Sequence, residues 1–433
     1  MRLYADLLGD REIAEMMGDT ASIAAMLHAE AVLAQSQARL GIISEAAATA
    51  IAAAAEALKP DIAVIAAGVA GAGISAQPVI KALKEAAGDH AAWVHFGATS
   101  QDIVDTGLMI QLAGVMPVLR ERLSALSGVL AGKAAEYADQ PIPAHTRFQV
   151  AAPTTLGARI ATWYAPLCRQ TERLEEMLPR LLNVSLYGAV GTSAALDPKA
   201  SDLRRAMAAE LELGAPEIPW HSTRDMIAEL GGWLSLLTGS LGKMGADLVL
   251  MSQSELGQVS AGTGGGSSTM PQKSNPVAAE TLVTLARLNA GDLGSLHQAL
   301  IHANERDGTA LGIEWSLLPA MLERAGASLR IARDLAASLR AQPDRIAEAF
   351  AADRGMMMAE AAGFLLTQDM PRPEALKIVG KALTAMQSDQ TMTLADALSG
   401  LVPGRDWAGI LAPENNLGDA ASIAMQFDNK RER

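Results

Sequence analysis

Three observations predict an all-α fold for this chain. Half of its 433 residues are hydrophobic, yet aromatic residues make up only 3% of the sequence. Alanine, leucine, methionine and isoleucine supply most of the apolar side chains, a composition that favours helices because sheets prefer β-branched and aromatic residues. The third observation is periodicity: apolar residues recur at steps of three and four over several long stretches, which is the spacing of one helix face.

The apolar periodicity is clearest in three runs. One has Leu234, Leu237, Leu241, Met244, Leu248 and Met251. The others have Leu282, Leu285, Leu293, Leu296 and Leu300, and Ile103, Leu108, Leu112, Val115 and Leu119. Long helices with one apolar stripe pack into bundles, so we predict a central long-helix bundle. Breaks rich in proline and glycine divide the chain into three predicted helical domains: residues 1–95, 96–343 and 344–433.

Composition also limits the chemistry that the chain performs. The formal net charge of −13 opposes binding to nucleic acid and to anionic membranes. The single cysteine, Cys168, excludes an intramolecular disulfide, and the seven histidines form no recognisable metal-binding motif. Residues 62–80 are uncharged, but their glycines and proline favour a buried helix followed by a loop over a membrane span. The N-terminus has no signal-peptide pattern, so we expect a cytoplasmic protein. We also expect the protein to function without a metal or cofactor.

The most informative segment is a glycine- and serine-rich loop that begins at Gly264 and reads GGGSSTMPQKSNP. Backbone N–H groups in such a loop, beside the cation of Lys273, can form an anion-binding site. A nucleotide-binding P-loop is not expected, since Gln272 stands where that motif has glycine. On these residues alone, a surface turn remains the alternative.

Three sequence blocks resemble, in the same order, those of the fumarase/aspartase superfamily. They are HFGATSQDIVDTG (95–107), HTRFQVAAPTTLGAR (145–159) and GSSTMPQKSNP (266–276). The resemblance extends over almost the whole chain. It implies an all-α protein whose central bundle assembles into the twenty-helix core of a homotetramer. It also implies that each active site receives one block from each of three subunits.

The resemblance assigns roles to individual residues. Ser267 matches the catalytic base of the superfamily, and Lys273 is the second predicted catalytic residue. Residues predicted to bind substrate are Thr99, Ser100, Gln101, Arg147, Gln149, Thr154, His221, Arg224, Ser268, Met270 and Asn275. Glu280 is predicted to support the site by pairing with Arg147, and His145 is a candidate general acid. For His221, a structural hydrogen bond is an equal alternative.

Reactions of this superfamily pass through an enediolate next to a carboxylate, and preorganised donors such as Lys273, Asn275 and loop N–H groups stabilise that charge. Lyases that expel an amine protonate it with a histidine in the second block, where this chain has Arg147, a poor proton donor. A carboxylate leaving group needs no such acid, because its conjugate acid has a pKa of about 4. Arg147 therefore favours a reaction in which a carboxylate adds or leaves.

Further stretches resemble the cycloisomerase branch of the superfamily: LYGAVGTSAAL (186–196), PWHSTRD (219–225) and GIEWSLLP (312–319). This resemblance implies that a small tricarboxylate, 3-carboxy-cis,cis-muconate, closes to a lactone, in the protocatechuate branch of aromatic degradation. The alternative is an adenylosuccinate- or argininosuccinate-type lyase that releases fumarate. A non-catalytic scaffold is disfavoured because Ser267, Lys273 and Asn275 are all retained.

Overall fold

The computed structural model describes residues 2–266 and 269–426, with the Arg2 side chain excepted. It is 69% helical and 5% strand, which confirms the all-α prediction. Helices α1–α18 in chain order are Ala5–Leu8, Arg11–Met16, Asp19–Arg39, Glu45–Ala57, Ile62–Ala72, Ala76–Ala87, Ser100–Glu136, Leu156–Leu181, Ala200–Leu211, Asp225–Met251, Val277–Gln298, Gly308–Ser338, Pro343–Asp353, Ala359–Leu366, Arg372–Ser388, Leu394–Leu401, Trp407–Ile410 and Ala420–Met425. Short 3₁₀ helices cover Arg2–Tyr4, Gly88–Trp93, Ala194–Leu196, Met356–Met358 and Pro413–Asn415.

The strands form three small antiparallel pairs. Strands β1–β6 in chain order are Pro141–Thr146, Gln149–Thr155, Val259–Ser260, Gly265–Gly266, Ser274–Asn275 and Arg340–Ala341. Strand β1 pairs with β2, β3 with β6, and β4 with β5. The β1–β2 hairpin contains the second sequence block, and the β4–β5 pair closes the third block into a loop. Both pairs therefore set the local geometry of predicted site residues.

The chain divides into two compact units. Unit 1 comprises residues 1–123, 169–239 and 284–330, and unit 2 comprises residues 124–168, 240–283 and 331–433. The five longest helices, α7, α8, α10, α11 and α12, contribute residues to both units. The division into three domains at residues 95 and 343 stays a prediction.

The core of unit 1 is built largely from α3, α4 and α6, with the start of α7 and residues 186–207 packed against it. Alanine supplies much of this core; Ala29, Ala47 and Ala76 are fully buried. Small side chains permit close packing between helices, and alanine loses no rotamer entropy on burial. The side chain of Ser44 caps α4 by accepting a hydrogen bond from Ala47 N–H.

Unit 2 has a separate apolar core near its C-terminal end, formed by α14–α17 around the buried Trp407. The indole N–H of Trp407 donates to the Val402 carbonyl at 2.9 Å, so this large side chain is buried without an unsatisfied donor. Helix α16 begins with a capping box, in which the side chains of Thr393 and Asp396 satisfy each other's backbone N–H groups. These contacts stabilise the start of α16 and the segment that joins it to α17.

Burial separates the correct helix predictions from those that are wrong. The predicted run that starts at Leu282 fails at its last position, because Leu300 lies beyond α11 and is 37% exposed. All six apolar positions of the run from Leu234 to Met251 are buried in α10, as predicted. Residues 62–72 do form a helix, α5, but Ile65 is its one buried residue, so the predicted burial is wrong.

Helices α7 and α10 are long and apolar enough to cross a membrane, yet 56% and 50% of their apolar windows are buried within the chain. Their apolarity is thus largely used in packing.

Candidate active site

The predicted site residues lie in both units. Unit 1 contains Thr99, Ser100, Gln101, His221 and Arg224. Unit 2 contains His145, Arg147, Gln149, Thr154, Met270, Lys273, Asn275 and Glu280. Ser267 and Ser268 lie outside the described residues, so the catalytic role of Ser267 stays a prediction.

In unit 1, one buried carboxylate organises the start of α7. Asp102 accepts hydrogen bonds from the backbone N–H groups of Thr99, Tyr187 and Gly188, each at 2.9 Å, and from the Ser185 hydroxyl at 3.2 Å. The bond from Thr99 satisfies one free N–H at the helix N-terminus. Asp102 thereby ties the predicted carboxylate-binding turn to the segment that begins at Ser185.

His221 and Gln101 belong to the same network. His221 Nε2 lies 2.7 Å from Asp102 Oδ1, and Gln101 Nε2 donates to the His221 carbonyl oxygen at 2.8 Å. Burial raises the pKa of Asp102, but the His221 imidazole and the backbone N–H groups outweigh it, so the pKa of this carboxyl is lowered. Of the two roles left open for His221, the geometry supports the structural hydrogen bond. Substrate contact by His221 or by the fully buried Gln101 stays a prediction.

Arg224 lies in a buried ion-pair network. Its Nη2 is 2.6 Å from Glu314 Oε2, its Nε is 3.0 Å from Glu314 Oε1, and its Nη1 is 3.0 Å from Asp105 Oδ2. Burial raises the pKa of Asp105, and the positive charge of Arg224 opposes part of this rise. Burial would lower the pKa of Arg224, but the carboxyls of Asp105 and Glu314 outweigh it and raise that pKa. The guanidinium is 2% exposed and its charge is balanced locally. The geometry supports a positioning role, and direct substrate binding by Arg224 stays a prediction.

Two residues after α11 extend this network. Arg306 Nε donates to Gln101 Oε1 at 2.7 Å, and its Nη2 donates to the Ala189 carbonyl at 3.1 Å. Both ring nitrogens of His302 are buried without a hydrogen-bond partner among the described residues. Burial, followed by the nearby charge of Arg224, lowers the pKa of His302. A neutral imidazole therefore lies beside the ion pairs.

Sequence reasoning missed the acidic members of this cluster. Asp102 and Asp105 lie three residues apart inside the first block, a spacing that places both on one helix face. Glu314 is a single acid in an otherwise apolar stretch of α12. These patterns are usable signals, because a lone carboxylate within an apolar helix requires a buried partner.

In unit 2, Arg147 lies at the tip of the β1–β2 hairpin. Thr146 pairs with Gln149, so Arg147 and Phe148 form the two-residue loop, with φ values of 49° and 66°. Left-handed conformations at both positions suit a tight hairpin but are unfavourable for non-glycine residues. Arg147 is exposed, as is Glu280 on α11. The proposed pairing of these two side chains stays a prediction.

The third block folds back on itself in unit 2. Gly265 pairs with Asn275 and Gly266 with Ser274, and Lys273 N–H donates to the Met270 carbonyl at 3.0 Å in the intervening turn. A Cβ added to Gly265 would lie 2.5 Å from a methyl group of Val277, so glycine is required for this close approach. The pair places Lys273 and Asn275 together at one end of the loop.

Among residues 2–266 and 269–426, no group of three His, Cys, Asp or Glu side chains is arranged to hold a metal ion. The charged groups instead form ion pairs and hydrogen bonds. In unit 1, the buried carboxylates of Asp102, Asp105 and Glu314 hold the predicted site residues Thr99, His221 and Arg224 in place.

The sequence model of a lyase family matches residues 10–289. The chain therefore belongs to this family, the fumarase/aspartase superfamily of the three blocks. It is 39% identical to the 3-carboxy-cis,cis-muconate cycloisomerase of Pseudomonas aeruginosa over 84% of this chain and 81% of that protein. It is 33% identical to the N-acetyl-S-(2-succino)cysteine lyase of Enterococcus italicus over 88% and 86% of the two chains. The crystal structure of the 3-carboxy-cis,cis-muconate lactonizing enzyme from Pseudomonas putida superposes with a TM-score of 0.95, at 33% identity and 100% and 99% coverage.

Proposed function

We propose that this protein is a 3-carboxy-cis,cis-muconate cycloisomerase. The observation that carries the proposal is its 39% identity, over 84% of the chain, to a cycloisomerase of that name. Arg147 supports the same reaction, because an arginine in place of the superfamily histidine can hold a carboxylate but is a poor acid for an amine leaving group. The substrate is a small tricarboxylate, and the reaction needs no metal or nucleotide.

In the proposed reaction, one carboxylate of the substrate adds across a carbon–carbon double bond. An oxygen lone pair forms the new C–O bond, and the π electrons move to the carbon next to a second carboxylate as an enediolate. Lys273, Asn275 and loop N–H groups stabilise this charge, and Ser267 protonates the carbon. Preorganised donors of this kind are worth about 3–4 kcal/mol each in the transition state. Arg147 holds the carboxylate that attacks.

We further propose that the enzyme is a cytoplasmic homotetramer whose active sites each combine blocks from three subunits. Unit 1 supports assembly, since it exposes large apolar side chains on α10, on α11 and just after α11. Exposed fractions are 52% for Leu236, 40% for Leu288, 37% for Leu300 and 77% for Ile301. Apolar surface of this kind marks protein–protein contacts. Assembly would also bring residues of the three blocks together from different chains.

The test is an assay of the purified full chain without added metal or nucleotide. Loss of the conjugated-diene absorbance of 3-carboxy-cis,cis-muconate is expected, with no fumarate released from adenylosuccinate, argininosuccinate or N-acetyl-S-(2-succino)cysteine. Ser267→Ala should reduce kcat by at least about 100-fold, whereas Thr263→Ala, a change at the exposed residue just before the loop, should not. Fumarate release without diene loss would refute the cycloisomerase, and full turnover by Ser267→Ala would refute the role of that serine.

A further inference from the structure

The residues of unit 1 that were predicted to bind substrate offer no uncompensated positive charge. Arg224 is 2% exposed, and its guanidinium is paired with Glu314 and Asp105. Gln101 is fully buried, and its amide both accepts a hydrogen bond at Oε1 and donates one from Nε2. A carboxylate is bound most strongly by a cation that also donates hydrogen bonds. A substrate carboxylate at the turn that begins at Thr99 therefore needs a cation from another residue.

Arg306, in the segment between α11 and α12, has such a cation. Its Nε donates to Gln101 Oε1 at 2.7 Å and its Nη2 to the Ala189 carbonyl at 3.1 Å, and both acceptors are neutral. Among the residues that the structure describes, no carboxylate forms an ion pair with Arg306, and Nη1 has no hydrogen-bond acceptor. Arg306 is half-buried. Its charge is therefore available to an anionic ligand.

The two hydrogen bonds also hold the guanidinium in a fixed orientation. Gln101 lies in the first turn of α7, and its Nε2 is anchored at the His221 carbonyl, 2.8 Å away. Ala189 directly follows two residues whose backbone N–H groups donate to the buried Asp102. Arginine has a large rotamer entropy, so a guanidinium that is already held in place loses less of it on binding a planar carboxylate.

The proposed function leaves one substrate carboxylate without a partner, and this inference rests on that function. The substrate 3-carboxy-cis,cis-muconate has a carboxylate at each end of its chain and a branch carboxylate on C3. Ring closure uses one terminal carboxylate as the nucleophile, which Arg147 holds, and the other becomes the enediolate, which Lys273 and Asn275 stabilise. The 3-carboxylate forms no bond and keeps its charge throughout. Its binding therefore needs a cation that stays in place during the reaction.

We propose that Arg306 binds the 3-carboxylate and thereby selects tricarboxylates over dicarboxylates of the same shape. Nη1 of Arg306 donates a charge-assisted hydrogen bond to an oxygen of this carboxylate. Gln101 acts through Arg306 as a positioning residue, because it orients the guanidinium. Since the 3-carboxylate is unchanged by the reaction, Arg306 binds the substrate and the transition state equally well, and its loss should appear in KM.

The test compares purified full-length variants on 3-carboxy-cis,cis-muconate, with cis,cis-muconate, which lacks the 3-carboxylate, as the inhibitor. Arg306→Met should raise KM by about 10- to 100-fold, the range for a lost hydrogen bond to a charged group, and change kcat by less than about threefold. The Ki of cis,cis-muconate should change by less than about threefold, because this compound has no group for Arg306 to hold. Arg205→Met serves as the control: it removes an exposed cation of unit 1 and should leave KM and Ki unchanged.

The outcomes separate this inference from the proposed function. A folded Arg306→Met enzyme with normal KM overturns it, as do equal rises in KM and Ki, which would reveal a structural effect on the whole site. If cis,cis-muconate inhibits neither enzyme, KM and kcat of Arg306→Met decide. If Arg306→Met fails to fold, Arg306→Lys decides: an ammonium lacks the planar fork, so KM should rise about fivefold or more, and an unchanged KM overturns the inference. Inactivity of the wild type on this substrate refutes the proposed function instead.

Discussion

Arg224 provides the sharpest test of the buried network in unit 1. Replacing it with methionine keeps the apolar stem but leaves Glu314 and Asp105 without their cation, at 2% and 1% exposure. Burial already raises the pKa of Asp105, so this carboxyl can take up a proton once the guanidinium is removed. Leaving one partner of a buried pair alone costs about 3–5 kcal/mol. We expect the free energy of unfolding to fall by that amount.

The assay is urea unfolding followed by circular dichroism. Arg180→Met is the matched control, because Arg180 and its partner Glu229 are both exposed and exposed ion pairs contribute little to stability. The double variant Arg224→Met/Glu314→Leu also removes the Glu314 carboxylate and leaves Asp105, whose raised pKa lets it take up a proton. It should recover most of the loss, since apolar replacements of buried pairs are often neutral. If Arg224→Met is no less stable than Arg180→Met, or if the double variant is the least stable, the reasoning is wrong.

Two further predictions concern titration in the same unit. Asp102→Asn should lose about 2–3 kcal/mol of stability at pH 7, because several hydrogen bonds reach this carboxylate. The pKa of Asp102 is lowered on folding. The stabilisation by its carboxylate is therefore present above about pH 4 and is lost as the pH falls through the folded-state pKa. Equal destabilisation at pH 7 and pH 3 would contradict this. The pKa of His302 is also lowered on folding, so the unfolded chain binds this proton more readily. The free energy of unfolding should therefore decline as the pH falls below about 6.5. His302→Gln should flatten that decline in urea titrations between pH 7 and 5. Parallel curves for wild type and variant would exclude His302 as the cause.

The helical part of the fold could be predicted because its information is local. The run from Leu234 to Met251 repeats every three or four residues, and burial of one face follows from that spacing alone. Helix α5 shows the limit of this reasoning, since its apolar composition gave the correct element but the wrong burial. Composition does not report whether a neighbouring element covers a helix.

The site was harder to predict, for two physical reasons. The β1–β2 hairpin has a loop of arginine and phenylalanine instead of the asparagine and glycine that mark such turns, so no hairpin was predicted there. The partners of Arg224 are 90 and 119 residues away in sequence, and pairing over such distances depends on packing. Motif resemblance located residues on the same segments but not the acids that hold them.

The hairpin tip at Arg147 and Phe148 has a consequence for engineering. Both residues adopt a backbone conformation that asparagine and glycine would adopt at lower cost. A thermostability screen that scores melting or expression would therefore select replacements at these two positions early, and would discard the guanidinium together with the strain. Selection for heat resistance in this chain should be coupled to turnover from the first round, because the most easily gained stability lies at the residue proposed to hold a substrate carboxylate.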